Sequence, residues 1–413
     1  MTRPAAKGTP PIAAPSVPSQ PRAAAMLAMA TLGFAVTFWA WALLSPLGAT
    51  LREQLALTSV QQSLLVAVPV IVGSLGRIPV GALTDRLGAR RMFPAVALLT
   101  VLPVLYLGHL ADSLAGYLAG GFFLGLGGTT FAIGIPFVNS WFPPHRRGLA
   151  LGIFGVGMGG TAISAFSTVQ LARAIGPSFP FDLVAAVLVI YAAAAYLLLR
   201  DRPDRPVAPG SMLNRLATSL SMPVTWALSF LYAVAFGGFV AFSVYLPTYL
   251  TNAYHLDRSD AALRTAGFVI LAVAMRPVGG WLSDRFQPVA VLVIAYGAVA
   301  LPALVVAFGF PLIPVATLAF LGMAAALGVG TGAVFALVAR LVVPERVGAV
   351  TGVVGAAGGL GGFFPPLVMG LAYGVRGDYT LGFLLLVATA TAAGLFTASV
   401  VRRRAEQVPA AAG

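Results

Sequence analysis

Cysteine is absent from all 413 residues, so neither a disulfide framework nor thiolate chemistry is available to this chain. Charge is almost as scarce. Asp, Glu, Lys and Arg make up 9% of the residues, against about 25% in a soluble domain. Acids are the rarer sign, 12 against 25 Lys and Arg, and there are 3 histidines. So few acids and imidazoles, scattered along the chain, make no metal-ligand cluster, no paired carboxylates and no nucleophile–base constellation. Neither an enzyme nor a bound metal or cofactor is expected. What is abundant is apolar: 59% of residues are hydrophobic and the mean hydropathy is +0.93. That excludes a water-soluble or disordered protein and predicts a polytopic helical membrane protein. A net charge of +13 raises the question of nucleic acid. The bases sit in short loops between apolar runs, so membrane topology explains them and no nucleic-acid partner is expected.

Residues 1–24 are rich in Pro, Ala and Ser and read as a disordered tail without a cleavable signal pattern. Twelve apolar segments follow, at 25–49, 60–84, 92–111, 114–141, 148–172, 181–199, 223–250, 262–283, 288–308, 312–340, 347–374 and 380–401. Each is near the ~20 residues that cross a bilayer as helix. The longest internal polar stretch, 200–222, separates two halves, 25–199 and 223–404, and a tail of 405–413 ends the chain. Counting bases by side gives 18 in the tails, the linker and the loops that follow even-numbered segments. Five lie on the other side: Arg52, Arg173, Arg258, Arg264 and Arg376. The excess places both termini in the cytoplasm.

The halves repeat. Arg77, Gly81, Leu83, Asp85 and Arg86 match Arg276, Gly280, Leu282, Asp284 and Arg285 at a constant offset of 199. Pro144, Arg146, Gly148, Gly152, Gly155 and Gly159 match Pro344, Arg346, Gly348, Gly352, Gly355 and Gly359 at 200. The fold class expected is therefore all-α, twelve transmembrane helices in two pseudo-symmetric six-helix bundles.

Two of the 25 bases are in no loop. Arg77 and Arg276 each lie eight residues before the acid that marks a helix mouth, Asp85 and Asp284. At 1.5 Å per residue that is about 12 Å into a hydrocarbon core roughly 30 Å thick. A mid-membrane arginine costs at least ~2.5–3.5 kcal/mol on insertion scales, so it should face a cavity and hold something. The bland alternative is an arginine satisfied by backbone carbonyls. All twelve acids fall in loops, tails or helix ends, so the counter-charge should come from outside the protein, as an anionic substrate. A guanidinium fork suits a planar oxyanion, two parallel N–H donors meeting two oxygens. The same scarcity bears on coupling: His109, His145 and His255 also fall at helix ends or in loops, leaving no titratable relay in the membrane. That favours anion-for-anion exchange over proton symport.

The run Gly81-x-x-x-Asp85-Arg86-x-Gly88-x-Arg90-Arg91, with its echo Gly280-Trp-Leu-Ser-Asp284-Arg285, resembles the loop signature of the major facilitator superfamily over residues 25–404. The glycine-rich eleventh segment, Gly355-Ala-Ala-Gly358-Gly359-Leu-Gly361-Gly362-Phe363-Phe364, resembles the second signature of the nitrate/nitrite porter family. Gly127-Gly128-Thr-Thr-Phe131-Ala132, Tyr232-Ala-Val-Ala-Phe236 and Phe38-Trp-Ala-Trp41 resemble other segments of that family.

The resemblance implies a carrier of nitrate and nitrite in the bacterial cytoplasmic membrane, monomeric, with the bilayer as its other partner. Arg77 and Arg276 would hold the anion, Phe131 with Phe38 or Phe236 would wall it, and Tyr232 would donate to it. Gly157, which falls where the family has an Asn donor, and Gly358 of the glycine run would also be substrate-binding positions. Thr161 or a backbone N–H would replace that donor. Asp85, Arg86, Asp284 and Arg285 would form gates. Gly152, Gly155, Gly159, Gly352, Gly355 and Gly359 would pack helices closely. Rival expectations are a nitrate/proton symporter, a carrier of cyanate or a short carboxylate, and, in another class, an anion channel or membrane sensor.

Overall fold

The computed structural model describes residues 20–202, 217–342 and 347–407. Twelve helices in it are long and apolar enough to cross a membrane. They are α1 (Pro21–Gln54), α2 (Ser59–Thr84), α3 (Ala89–His109), α4 (Leu114–Trp141), α5 (Ala150–Ala174) and α6 (Phe179–Leu198), then α7 (Pro223–Tyr254), α8 (Arg258–Ser283), α9 (Pro288–Ala307), α10 (Leu312–Val338), α11 (Val350–Arg376) and α12 (Thr380–Ala405). Each coincides with a segment expected from hydropathy, displaced by a few residues at its ends. Helix starts at Gln20, so the last residues of the expected tail are helical. Pro344 and Arg346 of the second repeat lie outside the described residues.

The packing repeats as the sequence does. In the first half α1 packs on α5, α2 on α4 and α3 on α6; in the second α7 packs on α11, α8 on α10 and α9 on α12. Between halves, α5 meets α8, α2 meets α11 and α1 meets α7. On α3, α6 and α9 large apolar side chains face outward, with Leu102 66%, Ile190 68% and Ile294 72% exposed. That pattern suits hydrocarbon, not water, and the chain is an integral membrane protein.

The helices of the first half are broken at mid-depth. α2 turns at Val68 before Pro69 and again at Gly76, one residue before Arg77. Short 3₁₀ stretches interrupt α4 at Gly125–Thr129 and α5 at Val156–Gly159. In α11, α-helix stops at Gly361 and resumes at Phe364. Where the i→i−4 ladder is interrupted, backbone carbonyls become available to side chains, which hydrocarbon tolerates only in the protein interior.

Of the six glycines expected to pack helices, Gly359 alone is tightly packed, its Cα facing Ser74 of α2. A Cβ at Gly155, Gly159 or Gly352 would meet nothing within 4 Å, and Gly152 and Gly355 make only ordinary contact. Close crossings fall elsewhere: Gly160 against Ala35 and Trp39, Gly73 against Gly125 and Gly128, Gly332 against Arg276 and Gly280, Gly237 against Gly361. Repeat-matched positions share a place along the helix; whether a neighbour's backbone stands opposite depends on rotation about the axis, which spacing leaves open.

Candidate functional site

Mid-depth breaks and glycine crossings bring the two arginines toward one aromatic cluster. The Arg77 guanidinium carbon lies 5.5 Å from the centre of the Phe236 ring and that of Arg276 lies 5.6 Å from the same ring. Phe131 stands 5.0 Å from Arg77. Ring faces attract cations without neutralising them. Arg77 is 6% exposed. Its Nε donates to the Gly128 carbonyl at 3.3 Å, freed by the 3₁₀ stretch of α4, and its Nη1 to the Gly355 carbonyl of α11 at 2.7 Å. At Arg77 two donors go to backbone carbonyl dipoles, as the bland expectation has it, while no carboxylate among the described residues neutralises the charge. The Gly355 bond also joins the halves.

Arg276 precedes Pro277, and its Nη2 donates to the Tyr232 hydroxyl at 3.4 Å. Tyr232 stacks on Phe236, rings 4.8 Å apart and 4° from parallel. A Cβ at Gly358 would overlap the Tyr232 ring and come within 3.1 Å of Phe236, so glycine there admits the stack. Among the described residues, the ion pairs lie toward helix ends and none engages either arginine. No cluster of three potential metal ligands occurs among them.

Other expected residues sit differently. Phe38 is buried against Phe34 and Trp41, with ring centres 4.4 and 5.2 Å away. With Arg77 and Phe236 it lines a void of about 10 Å³, room for roughly one water. Gly157 does not open toward the arginines; a Cβ there would press on Phe34 and the Thr31 carbonyl of α1. The α5 side chain at Arg276 is its neighbour Met158, fully buried, whose sulfur meets Nη1. The Thr161 hydroxyl donates back to the Met158 carbonyl at 2.9 Å instead of facing an anion. Phe335 of α10 was missed altogether. Its ring lies 4.8 Å from Tyr232 and 6.3 Å from Phe131, bridging the halves. No motif surrounds it, and nothing in the sequence sets it apart from the other phenylalanines, 26 in all. The side chains of Asp85 and Asp284 lie outside the described residues. Arg86 and Arg285 are exposed, Arg285 beside the rings of Trp281 and Phe286 at 5.8 and 6.0 Å.

The end carrying the α1–α2, α5–α6 and α7–α8 loops is closed across the halves. Arg173 of α5 grips Asp257 with two bonds, 2.9 and 3.1 Å, and Ser259 at 2.8 Å. Arg258 pairs with Glu53 of α1. Below them the Ser45 hydroxyl donates to the Val244 carbonyl at 2.6 Å and Gln62 to the Thr248 hydroxyl at 3.3 Å. The hydrogen bond from Arg173, followed by that from the Ser259 N–H, holds the Asp257 carboxyl down at about 2. A lowered folded value means the pairing is complete above the ordinary carboxylate range and lost only as pH falls through about 2. Closure should therefore be flat between pH 5 and 8. The cysteine-free background allows a single Ser45→Cys reporter. Its labelling by a water-soluble maleimide should stay unchanged over that range and rise modestly in Asp257→Asn, as befits a half-exposed pair worth roughly 0.2–1 kcal/mol.

The sequence model of the Major Facilitator Superfamily matches residues 30–364 and 228–413. The chain is 50% identical over 378 residues to the probable nitrate/nitrite transporter NarK2 of Mycobacterium tuberculosis, covering 91% of this chain and 96% of the relative. It is 37% identical over 366 residues to a nitrite extrusion protein of Bacillus subtilis, covering 89% and 91%. Among solved structures, a bacterial homologue of the human lysosomal transporter Spinster, inward-facing and occupied, superposes with a TM-score of 0.71 at 19% identity over 96% of this chain and all of that one. A D-xylose–proton symporter gives 0.71 at 17% identity over 91% and 97%.

Proposed function

The chain belongs to the major facilitator superfamily and, within it, to the nitrate/nitrite porter family; on that premise we propose that it is a secondary carrier of nitrate and nitrite. The observation that supports this most is the pair of arginines beside Phe236, one from each half, with no carboxylate partner among the described residues. A small planar anion set between them would receive guanidinium N–H donors from both halves while Phe131, Phe236 and Phe335 exclude water. The void beside Arg77, Phe38 and Phe236 is only about 10 Å³, so a small oxyanion is favoured over a carboxylate with a tail. NarK2 and the nitrite extrusion protein bear names that agree with this substrate class.

The site's position between the halves supports alternating access. Residues 25–199 and 223–404 rock as two bundles around it, with both termini in the cytoplasm of a bacterial cell. Close contacts at the Arg173–Asp257 end and open space beside Gly155, Gly280 and Gly352 correspond to one end of that cycle. Reopening the closed end separates α5 from α8 and α1 from α7. Without an anion, Arg77 and Arg276 repel across the site, which opposes passage through the occluded state and makes exchange obligatory. The protein works as a monomer, because each chain contains both arginines.

Counterflow tests it. Vesicles holding the purified protein and preloaded with nitrite should take up labelled nitrate much faster than empty vesicles, and the uptake should saturate. Equal rates would reject exchange; non-saturating conductance would indicate a channel; stimulation by cyanate or acetate but not nitrite would reject the substrate.

A further inference from the structure

Away from the arginines, a cavity of about 280 Å³ lies between α7, α11 and α12, toward the end where Arg173 meets Asp257. Its origin is the break in α11. Helix stops at Gly361 and restarts at Phe364 with Pro365 and Pro366, and beyond the break α11 packs little on α7. Gly382 of α12 receives the Met369 side chain and brings α12 against the far side of the opening. Phe242 and Phe383 form the inner wall, their rings 6.4 Å apart. The mouth faces outward between α11 and α12, where Phe364 is 61% and Leu385 45% exposed. At this depth an outward face meets hydrocarbon.

We propose that this cavity is a binding site for one acyl chain of a phospholipid. The lining is almost entirely carbon, so water has too few partners to occupy it and an inorganic anion has none. Its exposed lining residues, Phe364, Leu385 and Thr389, lie on membrane-spanning helices, and a hydrocarbon chain is the ligand that the surrounding medium supplies. Headgroup placement agrees. Arg376, exposed at the end of α11, stands seven residues beyond Met369, about 10 Å along the helix axis. That is the separation between a phosphate at the membrane surface and the upper part of its own chain. A roof of polar groups closes the cavity above the chain: Asn252 donates to the Tyr379 hydroxyl at 3.0 Å, which lies 3.5 Å from that of Tyr245.

The site touches the closed end directly. Tyr245 lines the cavity with its ring, while its hydroxyl accepts from Ser63 of α2 at 3.3 Å, across the halves. A chain in the cavity holds that ring upright and so supports the closed arrangement.

The test uses the whole protein in nanodiscs of phosphatidylglycerol and phosphatidylethanolamine carrying a photoactivatable diazirine in the acyl chain. Peptide mapping after illumination should find labelling of 364–369 and 382–389 several-fold above that of the smooth lipid-facing surfaces around Leu102 and Ile190. Thr389→Trp fills the mouth from the lipid side, and Ala241→Phe fills the interior. Each should abolish the excess at the cavity and leave labelling around Leu102 and Ile190 unchanged. Arg376→Gln should lower it partly. Labelling no greater than at the smooth surfaces, or an excess that survives Thr389→Trp in a protein with unchanged melting temperature, would overturn the proposal. Nothing in this readout depends on which anion is carried.

Discussion

Arg77→Lys should lose roughly 99% of nitrate uptake while the protein still inserts and folds. Lysine keeps the positive charge, so an account based on charge alone predicts little change. The guanidinium, however, makes two bonds in different directions, Nε to Gly128 and Nη1 to Gly355, and retains donors for an anion. An ammonium is a compact point charge that cannot reach two carbonyls on separate helices and offer a parallel fork as well. Losing one charge-assisted bond in the transition between states costs about 1.5–3 kcal/mol, and about 2.7 kcal/mol corresponds to a hundredfold. Arg77→Leu should separate function from stability. It should abolish transport outright yet melt no lower, because removing a buried charge relieves a desolvation cost of several kcal/mol, which offsets the two lost carbonyl bonds. Uptake in proteoliposomes and thermal melts of the same preparations check both. Near-normal transport by Arg77→Lys would remove this arginine from the site.

Gly332→Ala should destabilise the protein by about 1–3 kcal/mol and cripple transport, the size typical of overpacking a tight interior. In an ordinary helix the same change is favourable by up to ~1 kcal/mol, so the sign is the informative part. A Cβ at Gly332 would run into the Arg276 carbonyl and the Gly280 amide, both backbone atoms of α8 that cannot swing aside. α10 would have to move off α8 at the residue that carries the second guanidinium, and Phe335, one turn along, would move with it. Gly297→Ala is the control. It also sits within an apolar helix, but a Cβ there meets nothing within 4 Å, so it should be neutral or slightly stabilising. Melting temperature and uptake, measured for both, should diverge; similar behaviour would mean the α8–α10 crossing is looser than its geometry.

These two predictions differ in how visible they are from the sequence. Arg77 and Arg276 stand out in one dimension, because a charge in an apolar run is improbable without a purpose and the offset of 199 puts both at one depth. Gly332 and Gly297 look alike in one dimension. The assignment of close packing to Gly155, Gly159 and Gly352 failed for that reason: all three sit in heavily glycine-rich helices, and their Cα atoms face open space. Gly157 shows the same limit at finer scale. Its position in a family-like motif suggested a site residue, but the 3₁₀ turn at Val156–Gly159 rotates it onto α1 and presents Met158 to Arg276.

The sequence by itself determined the medium, the twelve spans, the duplication and the two charges within the spans, since each depends on composition or spacing along the chain. Hydrocarbon enforces them: a span must be long and apolar, and a charge within it is costly wherever it stands. Tertiary structure alone decided what those charges touch. That Gly355 of the other half accepts from Arg77, that Phe335 joins Tyr232 and Phe131, and that Arg173 reaches Asp257 all join residues 84 or more positions apart. Such contacts depend on how each helix is rotated and where it is broken, and those are set by packing against neighbours that periodicity cannot see.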